Sequence, residues 1–322
     1  MTRRGALLAM SAALVDWIAP ARAAGYPDHP VRLVLPFGPG GVADVTARIV
    51  ADRLGDKLGQ RFVVENMPGA GGITAARAVI SAQPDGYTIG LVSNGTAISA
   101  AQFKRLPFDP ARDFAMVSQL GTFDIVFAVN AAGPYHKLMD FVASARAQPG
   151  KLNIATLNAG STQNLAAELF RAVAGINVQI VPYRTSPDIM VALLRGDVEM
   201  LLEFPAALKG QVDAGQVRLL ATSGPRRLPL MPDVPTVREA GIDGYEVTSW
   251  NGIFAPKDTP SHVIGILHAA ITEILAQPDI ADKLRDLGIE PTPSSPEALL
   301  KLFNADVTKW DDAIVAAGIE KQ

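Results

Sequence analysis

Pro36-Phe37-Gly38-Pro39-Gly40-Gly41-Val42-Ala43-Asp44 joins two runs of different period. Before it, Val31-Arg32-Leu33-Val34-Leu35 is short, apolar and rich in β-formers, the composition of a strand. After it, Val42, Val45, Ile49, Leu54 and Leu58 recur at three- to five-residue steps, placing them on one face of a helix. The stretch therefore predicts strand, glycine-rich turn and helix. Glycines let a backbone approach a ligand closely, and the first helical turn presents N–H groups with no intrahelical acceptor and a partial positive charge. Such a turn suits an anion, a carboxylate among them.

The same residues admit a second reading. Gly38, Gly40 and Ala43 satisfy G-x-G-x-x-A after a strand, with Glu65 placed to meet a ribose, so a dinucleotide site is the rival. Pro39 counts against it, because proline removes a donor where a pyrophosphate needs one. Asp44 is either a ligand-directed carboxylate or a first-turn acid that complements the helix dipole, with Arg48 one turn on as its partner.

Outward from this unit the chain alternates β-rich runs with helical patterns, the sequence form of an α/β fold with largely parallel sheets. Runs at 31–37, 62–66 and 87–93 make one strand series, and 125–130, 153–157, 178–183, 198–203 and 217–223 a second. After the proline-rich 225–235, a run at 246–255 precedes helical patterns such as 263–275 and 298–317, which need the first sheet to cover. The expected organisation is a signal peptide at 1–23, lobe one at 24–125 and 246–322, lobe two at 126–245, and two hinge crossings near 125 and 245. No repeat of fixed period is visible.

Two further turns match the first. Pro68-Gly69-Ala70-Gly71-Gly72 opens a helix after the second strand, and parallel neighbours would bring it beside Gly41 at the carboxyl edge of one sheet. Asn158-Ala159-Gly160-Ser161-Thr162-Gln163 follows a strand in the second series, where Ser161 or Thr162 can cap a helix while nearby N–H groups bind an anion.

Composition narrows the function classes. At 48% hydrophobic and 19% charged residues, the 322-residue chain has enough apolar content for two folded domains. Arg3 and Arg4, the apolar stretch 5–14 and Ala21-Arg22-Ala23 read as a secretory signal cleaved near Ala23, by either export route, and placing the mature protein in the periplasm. Removing residues 1–23 takes the formal charge from −3 to −5. Without cysteine, disulfide scaffolds and thiol enzymes drop out, and without a basic block so does nucleic acid. His29, His136, His262 and His268 are scattered outside the glycine-rich turns, and no carboxylate pair has metal-ligand spacing, so neither a catalytic constellation nor a metal or cofactor is expected.

With these motifs in order, the chain resembles the extracytoplasmic solute receptors of tripartite tricarboxylate transporters, the Bug family. PFGPGGVADVTAR (36–48), VVENMPGAGG (63–72), PDGYT (84–88), LPFDPARDF (106–114), NAGSTQNL (158–165), VPYR (181–184), PDVPTVREAG (232–241) and SWNGIFAPKDTP (249–260) span nearly all of the mature chain. The resemblance implies a two-lobed α/β fold, the type II periplasmic binding protein fold. Its two sheets would close on a small carboxylate, recognised by a membrane transporter, with the receptor a monomer. Carried onto this chain, Phe37, Gly41, Ala70 and Gly71 would embrace the carboxylate and Ser93 and Asn94 line the cleft floor, while Asn158, Gly160, Ser161, Thr162 and Tyr183 supply the second pincer. Departures fall at Met67, Ile73-Thr74-Ala75, Thr185-Ser186 and Glu203-Phe204. Glu203 would accept from a donor on the ligand, repel a second carboxylate, or face water as a plain strand-end acid. A sensor feeding a two-component system, or an exported small-acid enzyme, are the rival functions.

Overall fold

The computed structural model describes residues 25–316 and 318–321; the expected signal peptide lies outside the described residues. β1 (Val31–Leu35) runs parallel to both β2 (Phe62–Asn66) and β3 (Thr88–Ser93), with Val31 opposite Phe62 and Arg32 opposite Thr88. Between them lie α1 (Val42–Leu58) and α2 (Ile73–Ile80), and α3 (Asn94–Gln102) and the short α4 (Pro110–Asp113) follow. α1 forms where the apolar period demanded. Val42, Ile49 and Leu54 are buried, and Gly59 in the left-handed region ends the helix by donating to the Gly55 carbonyl.

β4 (Phe114–Asp124) escapes a sequence reading: Ser118, Gln119 and Gly121 interrupt any alternation. Its pattern is hidden because nine of its eleven residues are buried, with helices against it and a strand on either side. The chain then builds a second sheet from β5 (Val126–Asn130), β6 (Asn153–Leu157), β7 (Gln179–Tyr183), β8 (Met200–Glu203) and β9 (Val217–Thr222). These alternate with α5 (Leu138–Ala147), α6 (Thr162–Val173), α7 (Ser186–Arg195) and α8 (Pro205–Asp213). It returns through β10 (Thr248–Pro256) to the first sheet, ending with α9 (Ser261–Leu275), α10 (Pro278–Arg285), β11 (Glu290–Pro291) and α11 (Pro296–Ala316).

The strand orders are β11-β4-β10-β3-β1-β2 and β7-β6-β8-β5-β9. They repeat one plan. β1 lies parallel to β2 and β3 as β6 does to β7 and β8, and β10 runs antiparallel to β3 and β4 as β5 does to β8 and β9. The turns after β1 and β6 are thus equivalent, and so are the strand ends Ser93 and Glu203. The repeat is of topology alone, which is why no fixed period shows in the sequence.

Aromatic side chains fasten the layers. Phe127, on β5, packs edge-on against Phe170 of α6 at 4.9 Å and Tyr245 at 5.7 Å, and all three are buried. Burying a ring of this kind stabilises the fold by about 2 kcal/mol relative to exposure. Phe123 near the end of β4 meets Phe204 beside β8 at 4.7 Å, so one aromatic pair bridges the two sheets.

Candidate functional site

The turn after β1 is held from beneath by Asp44. Its buried carboxylate accepts from the Gly40 N–H at 3.0 Å, from Arg48 Nε and Nη2 at 3.0 and 2.9 Å, and from Asn66 Nδ2 at 2.9 Å. Asn66 also donates to the Phe37 carbonyl at 2.9 Å, and its own Oδ1 accepts from Arg48. Burial acts to raise the Asp44 pKa, yet the Arg48 guanidinium, the Gly40 N–H and the Asn66 amide together hold it below the usual carboxylate range. Of the two readings of Asp44, the structure bears out the structural one: the acid fixes the turn instead of facing the cleft.

Above this anchor α1 begins at Gly41, which caps the helix with no side chain. The first-turn N–H groups of α1 are left without an intrahelical acceptor. Gly38, Pro39, Gly41, Val42 and Ala43 form one wall of a cleft that is partly open to solvent. The opposite wall comes from the second sheet, with Thr162, Gln163, Ser186 and Glu203, and the Phe123–Phe204 pair closes one side. A second chamber shares Phe37, Ser93, Leu157 and Asn158 with the first. It continues to Gly69, Gly71 and Gly72 on one side and Gly160 and Ser161 on the other.

The floor is polar and unsatisfied. Ser93 ends β3 and stands directly opposite Asn251 of β10 in the antiparallel register. Both are buried and both line the first chamber; neither amide atom of Asn251 has a hydrogen-bond partner, while Ser93 forms a capping box with Thr96 at the start of α3. Buried polar groups are ordinarily paired, and leaving one unpaired costs about 1–3 kcal/mol.

On the far wall Glu203 is 2% exposed. Oε1 accepts from Gln163 Nε2 at 2.9 Å and the Phe204 N–H at 2.8 Å, and Oε2 accepts from Ser186 Oγ at 2.7 Å. One carboxylate therefore ties the starts of α6, α7 and α8, whose N-terminal N–H groups favour negative charge there. Burial is the largest influence on Glu203 and pushes its pKa up in spite of these donors. The reading of Glu203 as an acid facing water is corrected: β8 is an inner strand, and three helices begin around its end.

Phe37, Gly41, Gly71, Ser93, Asn158, Gly160, Ser161, Thr162 and Glu203 line one chamber or both. Ser161 Oγ caps α6 by accepting from the Asn164 N–H at 3.2 Å, so the capping and lining roles coexist. Ala70 sits in the single 3₁₀ turn Ala70–Gly72 beside that lining. Asn94 is turned away from both chambers; its amide bonds Thr162 of α6 and Asp306 of α11. Tyr183 lines neither chamber and packs with the apolar cluster beneath the second sheet. Sequence reasoning missed Gln163 and Asn251. Both stood in quoted motifs, NAGSTQNL and SWNGIFAPKDTP, but only the contact across sheets and strands shows that they face a cavity.

Glu65, the candidate ribose partner, is paired with Arg32 at 2.5 Å on the neighbouring strand and lines neither chamber. None of the four histidines lines them either, and among the described residues no group of three His, Cys, Asp or Glu could hold a metal. Trp250 is buried against Phe303 and donates to Asp306 at 2.6 Å, so it packs the fold and does not face the cleft.

A cleft between two topologically equivalent sheets, entered by strand-to-helix turns from both, is the arrangement of a clamp. The profile of the tripartite tricarboxylate transporter family receptor, TctC, matches residues 46–319. The chain belongs to the TctC family. A UPF0065 protein encoded in the tcbD-tcbE intergenic region of Pseudomonas sp. (strain P51) is 36% identical to this TctC receptor over 291 residues, covering 90% of this chain and 87% of that protein. Rpa4515 of R. palustris, solved with adipate, superposes with a TM-score of 0.87 at 32% identity, covering 92% of this chain and 99% of that one. MatC of Rhodopseudomonas palustris, with bound malate, superposes at 0.83 and 31% identity, covering 90% and 100%. TctC receptors and their structural neighbours are periplasmic solute-binding proteins, not enzymes.

Proposed function

We propose that this TctC receptor captures a small organic carboxylate in the cleft between its sheets and delivers it to a tripartite tricarboxylate-type membrane transporter. The observation that carries the reading is the uncapped start of α1 at Gly41, set in the wall of a chamber that both sheets line. Free N–H groups and the positive end of a helix favour a carboxylate there, and Arg184 on the opposite wall adds a basic side chain to the lining. The adipate and malate held by the two R. palustris relatives support the same ligand class.

In this reading residues 24–125 and 246–322 form lobe one, 126–245 form lobe two, and the strands joining them act as hinges. Ligand closes the lobes, and the closed form is what the transporter reads. The protein works in the periplasm as a monomer, after export and cleavage near Ala23, and needs no cofactor. A thermal-shift screen of the chain purified from the periplasm tests it, with mono- and dicarboxylates, aromatic acids, amino acids and NAD as probes. A ligand at 100 times its Kd stabilises by about 2.7 kcal/mol, a shift easily resolved. A shift with a carboxylate supports the clamp; a shift with NAD alone overturns it.

A further inference from the structure

Asn251 is a costly residue to keep where it stands. It is fully buried, and neither its Nδ2 nor its Oδ1 has a partner. Its neighbours in sequence do not explain it. Strand alternation sends Trp250 to the other face of the sheet, where it meets Phe303 and Asp306 of α11, and leaves Asn251 on the chamber face. The pairing of β10 with β4 slips between Asn251 and Gly252, where β4 carries the extra residue Leu120. Gly252 is held there by crowding, since a Cβ would lie 2.9 Å from the Ser118 carbonyl and from Leu299. On the neighbouring strand, the buried Ser93, which caps α3 together with Thr96, stands at the position facing Asn251.

Two buried, unpartnered amide atoms at the floor of one chamber, with the Ser93 hydroxyl beside them, can both donate and accept. An unsubstituted alkyl acid offers that surface nothing beyond its carboxylate, which the α1 turn takes. We propose that Asn251, supported by Ser93, is the specificity-determining residue of the chamber, and that the ligand is a carboxylate whose chain carries a hydroxyl or carboxamide to pair with it. This rests on the carboxylate reading above and narrows it. A site built to hydrogen-bond a group rejects the analogue that lacks it, because its own polar atoms are then left buried and unpaired.

The test uses matched acids against the purified full chain by calorimetry: propionate with lactate, succinate with malate, succinate with succinamate. In each pair that binds, the hydroxyl- or amide-bearing acid should bind about 5- to 150-fold more tightly, the ratio expected from leaving one buried polar group unpaired. Asn251→Leu should bring the two members of a pair to within a few-fold, and Ser93→Ala should narrow the gap in part. Equal affinities in the wild type, or a ratio unchanged in Asn251→Leu, overturn the proposal while leaving the carboxylate reading intact. Failure of every acid to bind overturns the carboxylate reading instead. The ligand-free melting temperature then still judges Asn251. An unpaired buried amide replaced by an apolar group of similar size should hold or raise it, whereas a clear fall marks a structural residue and overturns the proposal.

Discussion

Thr162 Oγ1 donates to Asn94 Oδ1 at 3.1 Å, joining the first residue of α6 on the second sheet to the first residue of α3 on the first. Asn94 passes the contact on, donating through Nδ2 to Asp306 Oδ2 at 2.5 Å, the atom that also accepts from Trp250 Nε1. The bond therefore crosses between the two sheets and is anchored by α11, so in the proposed clamp it would hold the cleft closed. Thr162→Val keeps the shape and removes the donor. A net hydrogen bond contributes about 1 kcal/mol, so the affinity for any acid that binds should fall roughly fivefold. Calorimetry on the two proteins checks this, and equal affinities would mean that the bond does not favour closure.

Asp44 should matter to stability and binding together. Asp44→Ala frees the Gly40 N–H, Asn66 and Arg48 at once. Arg48 is half exposed and can rehydrate, so the expected loss is about 2 kcal/mol, below that for a fully buried pair. Ligand affinity should fall as well, because the turn that presents Gly41 loses its anchor. The pH dependence has a definite sign. A carboxylate held below its ordinary 3.8 contributes stability above that pH, and the contribution is lost as the pH falls through the folded value. The stability gap between wild type and Asp44→Asn, read by urea unfolding, should therefore narrow below about pH 4.

The glycines are not equivalent targets. Gly41 has φ −81°, and a Cβ built there meets nothing within 4 Å. Gly41→Val should thus leave the urea midpoint nearly unchanged and cut carboxylate affinity by about 100-fold, by filling the space before the α1 N–H groups. Gly71 has φ +61°, and its Cβ would lie 2.8 Å from Phe103. Gly71→Val should destabilise the fold outright, so circular dichroism and melting separate the two variants before binding is measured.

Asp124 ends β4, where the chain leaves the first sheet, and accepts from Thr248 Oγ1 at 2.8 Å. It is 8% exposed, and burial, eased by Thr248 and reinforced by Glu246, raises its pKa to about 6. A raised acid stabilises the fold below its unfolded pKa, and that contribution is lost as the pH climbs through the folded value. Between pH 4 and pH 7 the wild type should lose at most about 3 kcal/mol through this group. Asp124→Asn keeps the acceptor for Thr248 without the charge. It should match the wild type in denaturant unfolding at pH 4 and exceed it at pH 7.5; an equal gap at both values would contradict the assignment.

What was legible in the sequence was local. Gly41 before an apolar period, Ser161 before another and the strand 31–35 each depend on residues within a few positions, so a linear reading finds them. β4 was not legible, because a strand buried on both faces carries no alternation. Asn94 stood in the right segment, yet its amide is claimed by Thr162 and Asp306, partners that come from distant parts of the chain.

The sequence by itself determined the strand–turn–helix units, the glycine-rich turns and, through its ordered motifs, the receptor family. Those features follow from propensity, periodicity and backbone freedom, which adjacent residues dictate. Only the tertiary structure decided that both sheets follow one plan, that Glu203 is bound by the starts of three helices, and that Asn251 faces Ser93 with nothing to bond. Whether a buried polar atom is satisfied depends on what the fold brings within about 3 Å of it, and those neighbours come from strands and helices far apart in the chain.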